Sequence, residues 1–484
     1  ACTPKTHEAI FMDTLRECGL NKYLFEMANI RNQGSWVHAK EAEEATEKSK
    51  DLVRMAVARV ATLHPLQEKT IPVIQKAMVI GGGIAGMNAA LGLADQGYEV
   101  FLVEKENRLG GMANQLTATI EGAEIQPYLA QLSERVMAHE KIQVLTQSLI
   151  VGFTGFKGNF TTEVLVGPGM YERKIEHGVV ILATGAKEYQ PKEYLYGEDE
   201  RVMTQVEFAQ HLDKTPPGSL NEVVMIQCVG SRNDENPNCS RICCQNAIKN
   251  ALHLRKAHPD ARIYVLYRDI RTYGLLEEYY KEARKQGILF FRYTPENAPQ
   301  VASSKEGVQV TFFDHVLNRP LMVSADMLVL STGMVAEETS ELASIVKLAR
   351  TPEGFFMEAH VKLRPVDMAT EGIFVCGTAH SPKLISETIS QANAADSRAI
   401  TCLSQPELKL SAITARVDAD QCASCLVCVR SCPYGVPKIN EKGVSEIDIA
   451  MCQGCGVCAS ECPAKAIELN WYEDDQLICK IESL

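Results

Sequence analysis

Two cysteine runs near the C-terminus limit what this 484-residue chain can fold into more than any other feature. Cys422-x2-Cys425-x2-Cys428-x3-Cys432 is followed by Pro433, and Cys452-x2-Cys455-x2-Cys458-x3-Cys462 by Pro463. In paired runs of this kind the fourth Cys ligates the other cluster. Cys422, Cys425, Cys428 and Cys462 are therefore expected to hold one [4Fe–4S] cube, and Cys452, Cys455, Cys458 and Cys432 the second. Zinc also takes Cys-x2-Cys pairs, but with four ligands in total rather than two interlocked sets ending in Cys-Pro. A segment built this way handles electrons one at a time.

Composition narrows the setting. Seventeen Cys in 484 residues would mean disulfides only in a small secreted domain, and no basic-then-apolar leader opens the chain, so a reducing, intracellular compartment is expected. Ala1-Cys2-Thr3-Pro4 reads as the inside of a domain, so residues upstream are expected too. No apolar run reaches the ~18 residues that a membrane span requires. A net charge of −12 argues against nucleic acid as a partner. The length predicts about three domains.

A second pattern follows a linker containing Pro65 and Pro72. The apolar run Lys76-Ala77-Met78-Val79-Ile80 leads into Gly81-Gly82-Gly83-Ile84-Ala85-Gly86, and a helical pattern follows. A second strand, Glu99-Val100-Phe101-Leu102-Val103, ends in Glu104. This is the βαβ dinucleotide fingerprint in its proper context: Gly81 for the tight turn, Gly83 for backbone approach to a pyrophosphate, Gly86 for helix-on-strand packing. The helix N-terminus faces the phosphates and Glu104 accepts a ribose hydroxyl. A ligand-free glycine turn is the plainer alternative, but strand, helix and acid all stand in place.

FAD and NAD(P) share that fingerprint, and later segments choose between them. Lys105-Glu106-Asn107-Arg108-Leu109-Gly110-Gly111 and Val179-Val180-Ile181-Leu182-Ala183-Thr184-Gly185-Ala186 resemble the two-dinucleotide-binding flavoprotein family, whose glycine pair and Ala-Thr-Gly strand end line FAD. Gly372-Ile373-Phe374-Val375-Cys376-Gly377-Thr378 resembles the strand that closes the FAD domain, with Thr378 where the family has Asp. The resemblance implies FAD held by Gly81, Gly83, Ile84, Ala85, Gly86, Glu104, Lys105, Arg108, Gly110, Gly111, Ala183, Thr184, Gly185 and Gly377.

Flavoproteins shaped like thioredoxin reductase insert a second Rossmann domain for NADPH, and residues 221–335 stand in that place. The opening strand Glu222-Val223-Val224-Met225-Ile226-Gln227 is followed by Cys228-Val229-Gly230-Ser231-Arg232 and then Cys239-Ser240-Arg241-Ile242-Cys243-Cys244, not by a glycine-rich turn. Without close-packed glycines a pyrophosphate has no surface to sit against, so nicotinamide binding is not expected here. Cys228, Cys239, Cys243 and Cys244 suffice for a third [4Fe–4S] cube; buried thiols acting as small hydrophobes are the bland alternative.

Taken together, these residues resemble the A-type subunit of heterodisulfide reductase and its bacterial relatives. Ala1-Cys2-Thr3-Pro4-Lys5-Thr6-His7-Glu8, Tyr23 to Arg31 with Ser35-Trp36-Val37-His38, the Gly81 fingerprint, Gln227 to Arg232, the Cys239 to Cys244 group and the double ferredoxin all match. The resemblance implies a cytoplasmic FAD and iron–sulfur subunit of a larger complex, whose flavin in many members bifurcates electron pairs. It also implies a cluster on Cys228, Cys239, Cys243 and Cys244 near the flavin, and Lys249 reaching flavin N5. Its implied partners are B- and C-type subunits, a hydrogenase- or dehydrogenase-linked electron donor, ferredoxin and a second copy of the same chain. The family's first domain begins before Ala1 and carries its own cluster, so that site, with Cys2 as its one ligand here, is expected to be incomplete. The further ferredoxin of many archaeal members is absent, since no cysteine stands between Gly155 and Ala183.

Other features read as structure. Glu41 to Leu63 carries apolar Ala45, Leu52, Val53, Ala56, Val57 and Val60 at helical spacing, the mark of a packed surface helix. His7, His38 and His380 lack partners at metal-ligand spacing in sequence, with His380 a candidate neighbour of the flavin. Cys18, Cys376, Cys402 and Cys479 read as packed thiols, and without a redox Cys-x2-Cys no disulfide-reductase chemistry is expected.

The expected class is α/β: a two-dinucleotide-binding-domain, thioredoxin-reductase-like flavoprotein with a C-terminal α+β ferredoxin domain. Residues 1–70 form a partial N-terminal domain, 71–220 and 336–403 a split FAD domain, 221–335 a degenerate Rossmann insert, and 404–484 the ferredoxin. Three functions compete: an electron-transferring, bifurcating subunit, an NAD(P)H:ferredoxin oxidoreductase, and a non-catalytic wiring module.

Overall fold

A computed structural model describes residues 4–216 and 218–484, so Cys2 lies outside the described residues. The chain forms two compact units, Val73–Pro406 and Ala1–Pro72 with Glu407–Leu484.

The larger unit holds two parallel five-stranded sheets. In the first, strands run in the order Ile373–Val375, Val179–Leu182, Lys76–Ile80, Glu99–Val103, Ile142–Leu145. Both faces are covered, so the strands are apolar throughout rather than alternating; Met78, Val79, Leu102, Val180 and Ile181 are fully buried. Helices Ile84–Asp95 and Ile385–Leu403 pack together on one face, brought close by Ala89, Gly92, Ala392 and Ala395. The antiparallel meander Leu149–Phe156, Asn159–Val166, Tyr171–His177 supplies Phe160, Val164 and Ile175 to the core that includes Met78 and Val180.

The second sheet runs Val202–Thr204, Met327–Thr332, Glu222–Val229, Arg262–Tyr267, Leu289–Arg292, also parallel. Helices Gln205–Leu212 and Cys243–Ala257 bury Phe208, Ala247, Ile248 and Leu254 in one of its cores. Both sheets follow one plan: the strand that opens each βαβ unit is central, the next two extend one edge, and the last crosses to the other side. The antiparallel pair Ala186–Glu188 and Met334–Ala336 is where the chain passes between them.

The smaller unit joins both ends of the chain. Strands Ala415–Val417 and Ile467–Leu469 pair, as do Pro437–Ile439 and Ser445–Ile447, with short helices Val427–Ser431 and Val457–Ser460 carrying cysteines. The 1–70 segment, expected from sequence as a partial domain of its own, folds with these residues. Tyr23 and Leu63 have too little apolar company to form a core alone and bury against Trp471, whose Nε1 donates to the Tyr23 carbonyl at 2.8 Å.

The helix Ala42–Thr62 corrects its expected packed face. Val53, Val57 and Val60 are exposed, whereas Arg59 is only 3% exposed. Arg59 is tolerated inside because Glu26 neutralises it, the Trp471 carbonyl accepts from it, and its guanidinium stacks 4.7 Å from the Trp471 ring.

Candidate functional site

The fingerprint is built as a cradle. Gly81 sits at φ +111°, where a Cβ would run into the Ala183 carbonyl, and a Cβ on Gly86 would overlap the Gly81 carbonyl, so strand, turn and helix can meet only with glycine there. At Gly83 a Cβ would meet open space, in front of the uncapped N-terminus of helix Ile84–Asp95. Free N–H groups beside an opening suit an anion. Gly83 bridges to Gly110, Gly111 lies against Gly83, and Gly377 packs on Ala85. The buried Thr184 Oγ1 has no partner, an orphan that a bound group would satisfy. Glu104 is buried and accepts from the Gly82 and Glu106 amides at 2.6 and 2.8 Å, leaving lone pairs for a hydroxyl. Ile84 is buried beside these, and Gly185 faces Thr378. Lys105 and Arg108 are exposed, with Lys105 paired to Glu337 at 3.0 Å. These residues fit a dinucleotide.

The second sheet differs at the equivalent turn. Strand Glu222–Val229 ends in a bulge, and Cys228, Arg232 and Arg241 adopt left-handed conformations rare for side-chain-bearing residues, with φ of +65°, +58° and +61°. Gly230 is taken by Tyr189, whose ring a Cβ would strike, so the turn's one glycine does not open a phosphate seat. Cys243 and Cys244 begin helix Cys243–Ala257 and are both buried. The thiols feel one another: burial and then Cys244 push Cys228 up, and the bond with Cys244 pushes Cys243 up. Cys244 is drawn to about 7 by its bond with Cys243 and by Arg271 and Arg232. Arg241 N–H donates to Cys239 Sγ at 3.3 Å. Among the described residues no three thiols converge within 4.8 Å. Four thiols, two of them buried at the start of one helix, are a donor set of the number and kind that a cube takes.

This loop is tied to the first sheet's half. Arg241 donates to the Pro382 carbonyl at 3.2 Å and to Glu387 at 2.8 Å, and the Tyr273 hydroxyl donates to Glu387 at 3.0 Å. Lys249, on the same helix as Cys243 and Cys244, is half-buried and not the solvated lysine that a surface helix would present. Its Nζ donates to the Ala118 carbonyl at 3.2 Å, and burial lowers it to about 8.

In the ferredoxin the two expected sets assemble. One hollow is lined by Cys422, Cys425, Cys428 and Cys462, and the other by Cys432, Cys452, Cys455 and Cys458. Backbone amides of Ser445 and Ala415 donate to Cys422 and Cys452 Sγ at 3.4 and 3.5 Å, in matching positions.

Some residues depart from expectation. Cys18 is exposed, not packed, whereas Cys376 and Cys402 are buried. His38 does have partners: it lies within ligand distance of Glu41 and Glu44, an exposed ion-paired group. His380 Nδ1 accepts from Lys383 and Gln391, both at 3.1 Å, so its other nitrogen carries the proton to Glu358 at 2.8 Å. Lys383, lowered to about 8 by burial, had no sequence signal because its partners come from separate segments.

Comparison with known proteins agrees with this geometry. The pyridine nucleotide-disulphide oxidoreductase profile matches residues 75–226, and the 4Fe-4S dicluster domain matches 414–463. The first A-type iron-sulfur subunit of CoB–CoM heterodisulfide reductase from Methanopyrus kandleri is 35% identical over 587 aligned positions, covering 100% of this chain and 88% of its own. The chain belongs to the family of heterodisulfide reductase A-type subunits. A second member, the A-type subunit of the H2:CoB-CoM heterodisulfide,ferredoxin reductase of Methanothermobacter thermautotrophicus, is 34% identical over 91% of this chain and 81% of its own. The thioredoxin reductase of T. acidophilum covers 68% of this chain and 97% of its own at 15% identity and a TM-score of 0.48; the fold assignment rests on strand order and the family profile. As a member of this heterodisulfide reductase family the chain is an oxidoreductase subunit and a flavoprotein carrying FAD and [4Fe–4S] clusters. Among the described residues no helix is long and apolar enough to cross a membrane.

Proposed function

We propose that this chain is the electron-dividing subunit of a cytoplasmic heterodisulfide-reductase-like complex, in which electron pairs are split between two acceptors. One observation carries the reading: four thiols stand at the turn where a nicotinamide pyrophosphate would sit, two of them at the start of the helix whose Lys249 reaches the segment after the FAD glycine pair. Bound FAD exchanges electrons in pairs and each [4Fe–4S] cluster exchanges them singly. The fingerprint residues, Glu104 and the Ala183 to Gly185 strand end hold the dinucleotide; Cys228, Cys239, Cys243 and Cys244 hold a third cluster; Lys249 places positive charge at flavin N5. Arg241 and Glu387 keep the thiol loop in register with the start of helix Ile385–Leu403. The M. thermautotrophicus relative's name couples H2 to both heterodisulfide and ferredoxin, which supports a two-acceptor role. The partners we assign are B- and C-type subunits, a hydrogenase- or dehydrogenase-linked donor, ferredoxin and a second copy of this chain.

The test is chemical assay of anaerobically prepared protein. One FAD and about twelve iron are expected, for three cubes of four, with no fast reduction by NADH or NADPH in the absence of partners. About eight iron would remove the third cluster, and rapid flavin bleaching by either nicotinamide would replace this reading with an NAD(P)H oxidoreductase.

A further inference from the structure

Gln245 follows Cys244 directly and is 2% exposed, yet both polar atoms of its side chain lack a hydrogen-bond partner. Among the described residues its Nε2 is the one buried side-chain amide nitrogen so placed. The nitrogens of the other buried amides on these elements are committed. Gln227, beside Cys228, gives its Nε2 to Ser331 at 2.6 Å, and Asn250 gives its nitrogen to Gln205. The Tyr273 hydroxyl, near the Gln245 amide, is committed to Glu387 and does not meet hydrogen-bond geometry with Gln245. Leaving a buried amide without partners is costly, so a site that keeps one has an acceptor to offer it when loaded. In the helix Cys243–Ala257, Gln245 stands in the first turn with two of the thiols, and Lys249 lies one turn on along the same face.

We propose that the Gln245 amide donates a hydrogen bond to a sulfur of the cluster held by Cys228, Cys239, Cys243 and Cys244, easing that cluster's reduction. This rests on the third-cluster reading above. Reduction adds negative charge to the cluster, and a donor aimed at a sulfur stabilises the reduced form more than the oxidised one. Gln245 is thus a positioning and tuning residue, placed to raise the potential of the cluster beside the lysine that we assign to the flavin.

The test is an anaerobic redox titration of the intact chain, following each cluster by electron paramagnetic resonance, in the parent, Gln245→Leu and Gln245→Met. Leu is similar in size, and Met adapts to an irregular site if Leu disturbs folding. The expected result is unchanged FAD and iron content, a reduction equilibrium for one cluster lowered about tenfold, which is 59 mV for one electron, and two clusters unmoved. Full iron content with all three clusters unmoved, or a shift confined to the flavin, would overturn the assignment while leaving the third cluster standing. A parent with about eight iron would instead end the third-cluster reading.

Discussion

Lys249 is a charge held where burial opposes it. Its ammonium is lowered to about 8 and donates to a neutral carbonyl, so at neutral pH it carries a proton that it readily gives up. If it faces the flavin, replacing it with methionine removes one positive charge a few ångströms from the reduced ring. The cost to reduction is about 1–4 kcal/mol at effective dielectrics of about 80 to 20. Lys249→Met is expected to keep FAD and iron but to lower the flavin midpoint potential. It should also erase an inflection near pH 8, because the parent loses the favourable charge as pH rises through that value. Anaerobic spectroelectrochemistry at pH 7 and 9 checks this; parent-like potentials at both would separate Lys249 from the flavin. Gly83 offers a simpler test. A Cβ there enters open space, so Gly83→Val should fold and yet fail to bind FAD, and a variant still yellow after gel filtration would move the pyrophosphate elsewhere.

The two helices that back the first sheet meet around an ionisable group. Asp396 is 5% exposed, its Oδ1 has no partner, and it occupies the space a Cβ on Gly92 would need. Burial raises its pKa from 3.8 to about 8, so the native state holds a proton that the unfolded chain releases between those values. The unfolded state therefore binds fewer protons across that window, and stability falls as pH rises through it. Asp396→Asn, which keeps the shape without the titration, should flatten this dependence. Relative to the parent, it should gain about 2–5 kcal/mol in moving from pH 5 to pH 8, read as a difference in unfolding midpoints. Equal pH dependence in the two proteins would show that the carboxyl is ionised in place. In sequence this helix reads only as part of the FAD domain; the buried acid becomes visible when Gly92 is brought against it.

Across the chain, cofactors are distributed so that each is assembled from distant residues, and the ferredoxin makes this testable. Because Cys462 lines the hollow with Cys422 and Cys432 lines the other with Cys452, paired substitutions should not be equivalent. Cys422→Ser with Cys462→Ser strikes one cube and should cost about four iron, whereas Cys422→Ser with Cys432→Ser strikes both and should cost about eight. The reverse losses, about eight iron for Cys422 with Cys462 and about four for Cys422 with Cys432, would mean that each run holds its own cube.

Much of the site was legible in the residues because its chemistry depends on short-range spacing. Cys-x2-Cys-x2-Cys, the Gly81 to Gly86 turn and the Glu104 strand end are local patterns whose geometry a few bonds impose, and the strands around them are apolar because both of their faces are covered. What spacing could not determine involves residues that meet only after folding. The clasp of Arg241 on Glu387, the capture of Gly230 by Tyr189 and the joining of Tyr23 and Leu63 to Trp471 each bring together segments with no sequence relation. Arg59 shows the reason most plainly. Its residue type predicts exposure, while Val53, Val57 and Val60 predict burial, and the structure reverses both because Glu26 and the Trp471 ring compensate a buried charge.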